Sequence, residues 1–210
     1  MRHRSDCTGL FFRPSIAPIY GPGDPHNRSA PSVRGLYRPM SLKIREIRPD
    51  EGLRLRALRL HALADAPTAF GSTLAREEAF PEHVWHERAA GGAAGGDRVT
   101  FIAERDERWV GMATGLAEAP DHSWTSRPTL VGMFVDGTAR RFGIGFALVE
   151  SVVAWARARR AACLALWVTS NNDAAIALYR RCGFQPTGAT RSVAHDPTLT
   201  EFEMVRELTD

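Results

Sequence analysis

The residues Leu130-Val-Gly-Met-Phe-Val-Asp-Gly-Thr-Ala-Arg140-Arg-Phe-Gly-Ile-Gly-Phe-Ala-Leu148 contain the signal that decides the fold. Their first six residues are almost entirely apolar, which predicts a buried β-strand. The residues from Gly143 to Arg160 predict an amphipathic helix, because apolar side chains recur there at the spacing of one helix face. That apolar stripe consists of Ile144, Leu148, Val152 and Trp155. A short turn therefore joins a buried strand directly to the N-terminus of a helix.

The turn has the features of an anion-binding site. Gly143 and Gly145 stand where the turn becomes a helix, and a residue without a side chain lets a ligand approach the backbone closely. The N–H groups of a first helical turn have no partner within the helix, and the helix dipole makes them favour an anion such as a pyrophosphate. Arg140 and Arg141 add positive charge at the same place. We therefore expect an anionic ligand at this junction.

Two nucleotide-binding motifs do not fit the turn. A P-loop requires Gly-Lys followed by Ser or Thr, but Phe146 and Ala147 follow Gly145. A dinucleotide fingerprint requires a glycine or alanine where this chain has Leu148, and a carboxylate at the end of the next strand, which the chain also lacks. A glycine turn before an ordinary amphipathic helix is the simplest alternative without a ligand.

Further elements are predicted on both sides of the turn. Residues 91–96 are rich in glycine and predict a flexible loop. A helix over 173–182 has two arginines in its last turn and ends at Gly183. The complete order is β-α-α-β-β-β-α-β-α-β-β, with a loop containing His195 before the last strand. The first helix ends near residue 65, and its apolar stripe is predicted to consist of Leu53, Ala57, Leu60 and Ala64.

Composition and charge restrict the possible functions. The chain has 210 residues, of which 44% are hydrophobic and 24% charged, as expected for one globular domain. The formal net charge is +3; residues 1–40 contribute +4, from six arginines and two aspartates, so the remainder has −1. The remainder therefore lacks the basic surface that nucleic-acid binding requires, and we expect no nucleic-acid partner.

The folded domain is assigned to residues 41–210. Residues 1–40 contain six of the thirteen prolines and no apolar periodicity, which predicts a disordered extension; translation from Met40 is the alternative. Three widely separated cysteines form no disulfide framework, and no apolar run is long enough to span a membrane. We therefore expect a cytoplasmic protein without a membrane partner.

Two motifs resemble those of the GNAT superfamily of N-acetyltransferases. The first is the coenzyme-A-binding motif, Arg140-x-x-Gly143-x-Gly145; the second is Asn172-x-x-Ala175-x-x-Leu178-Tyr179, which ends in Gly183-Phe184. The resemblance covers residues 42–208, although Gly137 and Arg141 stand where the family often has Pro and Gly. It implies an α/β (α+β) fold in which about four helices flank a mixed central β-sheet of six to seven strands.

The resemblance also implies acetyl-CoA as the co-substrate and no metal. Strand backbone groups and Asn172 would bind the pantetheine arm, and amides of the turn would bind the pyrophosphate. Tyr179, two helical turns after Asn172 on the same face, would be catalytic and protonate the departing thiolate. The alternatives are a helix N-cap for Asn172 and a core aromatic for Tyr179. The implied cofactor-binding residues are Met133, Phe134, Val135, Arg140, Arg141, Phe142, Gly143, Ile144, Gly145, Phe146 and Asn172.

The sequence leaves the general base and the acceptor open. Glu118, His122 and His195 lie in segments that would line the acceptor side, but each is also typical of a solvated loop. Phe70 and Trp85 are candidates for an acceptor pocket, with apolar packing as their alternative role. The expected function is transfer of an acetyl group to a primary amine of a small molecule or peptide, by direct attack in a ternary complex. A sensor that binds acyl-CoA without turnover is the alternative, and a homodimer is compatible with both.

Overall fold

The strand predicted at residues 130–135 lies in the middle of a seven-stranded β-sheet in the computed structural model, which describes residues 41–118 and 127–208. The extension predicted for residues 1–40 lies outside the described residues. The strands are β1 (Leu42–Glu46), β2 (Arg98–Arg105), β3 (Arg108–Leu116), β4 (Thr129–Val135), β5 (Cys163–Thr169), β6 (Gln185–Val193) and β7 (Asp196–Glu207). The α-helices are α1 (Gly52–Asp65), α2 (Leu74–Glu78), α3 (Glu82–Ala93), α4 (Ile144–Ala158) and α5 (Asp173–Arg181).

The sheet is mixed, with the strand order β1-β2-β3-β4-β5-β7-β6. β4 and β5 are parallel, whereas the other neighbouring strands of the sheet are antiparallel. Parallel strands need a crossover connection, and α4 provides it. The predicted α/β (α+β) fold with six to seven strands is therefore confirmed, with five α-helices in the described residues where about four were expected.

Local sequence explains several of these elements. Asp106 and Glu107, which join β2 to β3, have φ values of +49° and +68°, as in the tight turns that match the twist of a hairpin. α5 begins after the N-cap Asn172, whose side-chain oxygen accepts a hydrogen bond from the Ala175 N–H at 3.1 Å. Gly183, with φ of +81°, follows its C-terminus. The predicted stripe of α4 is buried as expected: Ile144, Leu148, Val152 and Trp155.

Helices cover both faces of the sheet. On one face, α4 and α5 pack on the strands around Leu148, Phe184 and Met204, which are fully buried. On the other face, α1 and α3 cover the neighbouring strands around Trp85 and Ile102. Among the described residues, no helix has both the length and the apolar composition needed to cross a membrane.

Three of the four residues in the predicted apolar stripe of α1 are exposed, whereas Leu60 is partly buried against the core. Leu53 is 50% exposed, and Ala57 and Ala64 are exposed as well. Leucines recur at helical spacing on two neighbouring faces of this helix, so periodicity alone did not distinguish the face that meets the sheet. The side chains that α1 buries are instead Leu55, Leu58, Ala62 and Leu63.

Three connecting segments also differ from the prediction. The glycine-rich residues 91–96 are helical as far as Ala93, because Gly92 packs directly against Thr100 of β2. The loop predicted around His195 is a tight connection between the long strands β6 and β7. α2 was not predicted, since a helix of five residues is too short to show periodicity.

Two adjacent glycines of α3 should respond oppositely to alanine. An added Cβ at Gly92 would lie 2.7 Å from Thr100 Oγ1, and overpacking of this kind costs about 1–3 kcal/mol. An added Cβ at Gly91 meets nothing within 4 Å, so Gly91→Ala should stabilise the protein by about 0.5–1 kcal/mol through helix propensity. Free energies of unfolding in urea for Gly92→Ala and Gly91→Ala check this, and equal effects would contradict the packing of α3 on β2.

Candidate functional site

The parallel strands β4 and β5 separate soon after they pair. A β-bulge bends β4 at this point, because Gly132, with φ of +63°, and Met133 together lie opposite a single residue of β3. Beyond the bulge, a crevice opens between the two strands, and one edge of β4 has no strand partner. These two fully described strands share two residue pairs, Thr129 with Ala165 and Leu130 with Leu166.

Met133, Phe134 and Val135 do not all present their backbones to this crevice. The Phe134 carbonyl oxygen points at β3, because an added Cβ on Gly111 would lie 2.9 Å from it. Backbone groups of successive residues in a strand point to opposite edges, so those of Met133 and Val135 are directed toward β5. The Val135 carbonyl accepts a hydrogen bond of 2.9 Å from Arg140 Nε. Two of the three predicted residues therefore offer backbone groups to the crevice.

The turn before α4 lies beside the crevice. Arg141 and Gly143 have positive φ values, 69° and 77°, and direct the chain sharply into the helix. The amides of the first turn of α4 have no acceptor within the helix. An added Cβ at Gly145 would lie 3.0 Å from Leu178 and 3.2 Å from Met133, so any side chain here would narrow the crevice next to these amides.

The two arginines of the turn have different environments. Arg140 bridges β4 and α1, since its Nη2 lies 2.5 Å from Asp65 Oδ2 while its Nε binds the Val135 carbonyl. Arg141 is exposed and has no ion pair with any described residue. Next to them, Ile144 is buried in the core, whereas two aromatic side chains are 60% and 41% exposed, Phe142 and Phe146.

Asp136 fixes the beginning of the turn. One carboxylate oxygen accepts hydrogen bonds from the Thr138 amide at 2.9 Å and the Thr138 hydroxyl at 2.5 Å, and the other lies 2.8 Å from His61 Nε2. The hydroxyl of Thr138 is the main cause that lowers the pKa of Asp136 to about 2; its amide and His61 add to this effect, while partial burial opposes it. α1 is therefore tied to the turn twice, through His61 and through Asp65.

Tyr179 and Asn172 lie on α5 as the sequence suggested. Tyr179 is 6% exposed, packs against Phe184 with 6.0 Å between ring centres, and has no hydrogen-bond partner for its hydroxyl among the described residues. Burial raises the pKa of Tyr179, and the nearby Cys182 adds to the rise, so the phenol keeps its proton at neutral pH. Asn172 caps the helix, as its hydrogen bond from the Ala175 amide shows.

A cavity of about 430 Å³ lies on the α1 and α3 side of the sheet. Val131 and Gly132 of β4 and Trp167 of β5 line it, so the cavity begins where these two strands separate. Phe70 and Trp85 also line it, although they are only 6% and 0% exposed. The two aromatic residues therefore belong to the core and also form part of the cavity wall.

The cavity wall also contains charged residues that the sequence analysis missed. Glu77 is 2% exposed and forms ion pairs with Arg59 at 2.7 Å and Arg88 at 3.0 Å. Burial opposes ionisation of Glu77, but the two guanidinium groups outweigh it and lower the pKa of this carboxylate. The charged residues that line the cavity are Arg59, Glu77, Arg88, Arg98, Arg191 and Glu201.

The bases suggested by the sequence do not line this cavity. Glu118 is exposed, and so is His195, which lies at the connection between β6 and β7. His122 lies outside the described residues. Within residues 41–118 and 127–208, no three His, Cys, Asp or Glu side chains group together to form a metal site.

Comparisons with known proteins identify similar sequences and similar folds. The model of the acetyltransferase (GNAT) family matches residues 60–184. The human protein N-acetyltransferase 8 is 35% identical over 88 residues, which are 42% of this chain and 39% of that protein. The chain therefore matches about two fifths of the length of this curated relative.

Solved structures show the same fold. An acetyltransferase of the GNAT family from Streptococcus pneumoniae superposes with a TM-score of 0.67 and 22% identity, covering 80% of this chain and 100% of that one. The structure of yncA from Salmonella typhimurium, with its cofactor acetyl-CoA, has a TM-score of 0.67 and 16% identity over 81% of this chain and 95% of that one. At these identities the likeness establishes the fold alone.

Asp136→Asn is expected to destabilise the protein by about 1–2 kcal/mol at neutral pH. The carboxylate has a folded-state pKa of about 2, below its ordinary value of 3.8, so its stabilisation is present above pH 4 and lost as the pH falls toward 2. The Asn variant should therefore lose less stability than the wild type over this range. Melting temperatures measured over this pH range check the prediction. The control is Asp50→Asn, a substitution at an exposed position. Parallel pH profiles for wild type and Asp136→Asn would contradict the hydrogen bonding described for the turn.

Proposed function

The chain belongs to the acetyltransferase (GNAT) family, and we propose that it transfers the acetyl group of acetyl-CoA to a primary amine of a small molecule or peptide. The observation that carries this proposal is that the crevice and the cavity meet at Gly132. One ligand can lie along the unpaired edge of β4 while a second approaches from the face covered by α1 and α3. This arrangement supports direct attack of the amine within a ternary complex.

We assign the pyrophosphate of acetyl-CoA to the turn before α4. The amides of the first helical turn are free to bind it, and Arg141 adds an exposed positive charge. Arg140 has a positioning role, because its side chain is engaged with Val135 and Asp65. The residues proposed to surround the pyrophosphate are Arg141, Phe142, Gly143, Ile144, Gly145 and Phe146.

The pantetheine arm is assigned to the crevice. Met133 and Val135 present backbone groups toward it, whereas the Phe134 carbonyl is directed at β3. The side-chain oxygen of Asn172 caps α5, which leaves its amide nitrogen as the group that would donate to the ligand. Tyr179 lies two helical turns farther along the same face of α5. This order along the helix supports a position for Tyr179 close to the sulfur.

Acetyl-CoA supplies an activated thioester. During transfer, a C–N bond forms to the amine and the C–S bond breaks. The nitrogen loses one proton and the departing sulfur gains one, so the proton released by the amine balances the one that the sulfur receives. We assign this donation to Tyr179, whose hydroxyl stays protonated and has no partner among the described residues. Glu77 is poorly suited to remove a proton from the amine, because two arginines stabilise its ionised form.

The remaining features of the chain support a small or peptidyl amine as acceptor. Residues 41–210 have a net charge of −1, so the domain lacks the electrostatics of a nucleic-acid-binding protein.

Cys163 and Cys182 are free thiols, which fits the reducing environment of the cytoplasm that we propose as the location.

The proposed reaction is tested by incubating the full chain with acetyl-CoA and a panel of primary amines, with release of free thiol as the readout. Calorimetric titration with acetyl-CoA measures binding independently. Thiol release that depends on the amine supports the transferase. Tight binding of acetyl-CoA without thiol release for any amine would favour the sensor instead.

Gly145→Glu is expected to reduce acetyl-CoA affinity by at least 100-fold, because a carboxylate would enter the crevice beside the amides assigned to the pyrophosphate. The nearest neighbours are the flexible ends of Leu178 and Met133, so the fold should persist. Gly96→Glu introduces the same charge where no atom lies within 4 Å, and should bind acetyl-CoA like the wild type. Unchanged affinity of Gly145→Glu by calorimetry would show that the cofactor lies elsewhere.

Tyr179→Phe is expected to lower kcat and kcat/KM together by about 10- to 1,000-fold, with little change in acetyl-CoA affinity. The ring is retained and the hydroxyl has no hydrogen-bond partner among the described residues, so the melting temperature should change little. Turnover and melting temperature measured on the same preparation check both parts. Wild-type turnover in this variant would show that Tyr179 only packs in the core and takes no part in catalysis.

A further inference from the structure

The cavity beside the crevice has more positive than negative side chains in its wall. Glu77 forms ion pairs with Arg59 and Arg88. Glu201 accepts a hydrogen bond of 2.9 Å from Arg191 Nε. Both carboxylates that line the cavity are therefore already paired with guanidinium groups. Four arginines and two glutamates line it in total, so the wall has an excess of positive charge.

Arg98 is the source of part of this excess. It is half-buried at the beginning of β2, lines the cavity, and forms no ion pair with any described residue. Burial lowers the pKa of Arg98, and the neighbouring charge of Arg88 lowers it further. A buried guanidinium is costly unless an anion compensates it. The fold therefore keeps an uncompensated cation in the wall of a cavity that is large enough for a ligand.

Two residues that line the cavity also have a donor without an acceptor among the described residues. Arg59 Nη1 and Trp85 Nε1 are these donors, and both atoms have almost no accessible surface. Because atoms without accessible surface do not reach the cavity, these two donors are not open to a ligand there. The half-buried guanidinium of Arg98, which forms no ion pair with any described residue, is the donor group that a ligand in the cavity could bind. A carboxylate would satisfy guanidinium donors of this kind, often with two hydrogen bonds.

Apart from four hydroxyl side chains, Ser72, Thr100, Thr114 and Thr129, the remaining wall is apolar and aromatic. Phe70, Trp85 and Trp167 line it together with aliphatic side chains that include Leu55 and Met112. A volume of about 430 Å³ lies within the range of small-molecule sites. The wall therefore suits a compact ligand that has an apolar part and an anionic end.

We propose that the acceptor is a small amino acid with an apolar side chain, whose carboxylate is bound by Arg98 and whose amine faces the separation of β4 and β5. This inference rests on the proposed function, because it identifies the amine that attacks the thioester. The acceptor's carboxylate compensates the charge of Arg98, its side chain packs on the aromatic wall, and its nitrogen lies at the Val131 and Gly132 end of the cavity.

The test compares each of L-phenylalanine, L-leucine and L-methionine with its own carboxamide, which has nearly the same shape but no negative charge. Thiol release gives kcat/KM, and calorimetry gives the affinity of each compound for the full chain, with and without coenzyme A. At least one acid should be used 10-fold or more better than its amide. Arg98→Gln should reduce kcat/KM for that acid by at least 10-fold more than for the amide, and Arg98→Lys should restore part of the preference.

Arg157→Gln serves as the matched control, because this arginine is exposed on α4 away from the cavity and should leave the preference for acids unchanged. Amides used as well as acids, or an equal loss for both in Arg98→Gln, would overturn the proposal. Failure of every acid to bind, whether or not coenzyme A is present, would overturn it too. Failure to bind acetyl-CoA would instead count against the proposed function, and the affinities measured without coenzyme A would still decide the role of Arg98.

Discussion

The site depends on the interruption of hydrogen bonding between β4 and β5. A parallel pair that continued to the end of both strands would satisfy every backbone group and leave no space between them. The bulge at Gly132 prevents this, because the extra residue in β4 bends the strand away after two residue pairs. The opening is kept rigid from both sides, since β3 pairs with β4 beyond the bulge and β7 pairs with β5 along seven residues. Unpaired backbone groups at such an edge are available to a ligand.

The excess positive charge of the cavity has a chemical consequence for an amine bound there. An amine must be neutral to attack a thioester, whereas most primary amines are protonated near neutral pH. Neighbouring positive charges disfavour the ammonium form and lower the pKa of the bound amine. Arg98 and the other arginines of the wall would therefore favour the nucleophilic form of the acceptor. This effect reduces the need for a strong general base, which fits a cavity whose carboxylates are both paired with arginines.

Local patterns in the sequence predicted the strand, turn and helix beside the crevice well, but not the wall of the cavity. The strand, turn and helix around Arg140 and Gly143, and the cap at Asn172, are encoded by residues that are close in sequence, so spacing alone identified them. The side chain of Arg140 is an exception, because its partner Asp65 is 75 positions away. The buried face of α1 was predicted wrongly, since two faces of that helix have similar leucine spacing. The cavity wall combines residues from all parts of the domain, and the ion pairs of Glu77 become visible only after folding.

The two contacts between α1 and the turn before α4 would connect the two proposed ligand sites energetically. His61 and Asp65 attach the helix to Asp136 and Arg140, while Leu55 and Arg59 of the same helix line the cavity. A ligand that orders the turn would also order this helix, and the first ligand would then meet part of the entropic cost of binding the second. Thermodynamic linkage makes such an effect reciprocal, so each proposed substrate would strengthen binding of the other by the same factor. Two side-chain contacts at one end of a single helix would thus be the origin of cooperativity between the proposed co-substrate and acceptor.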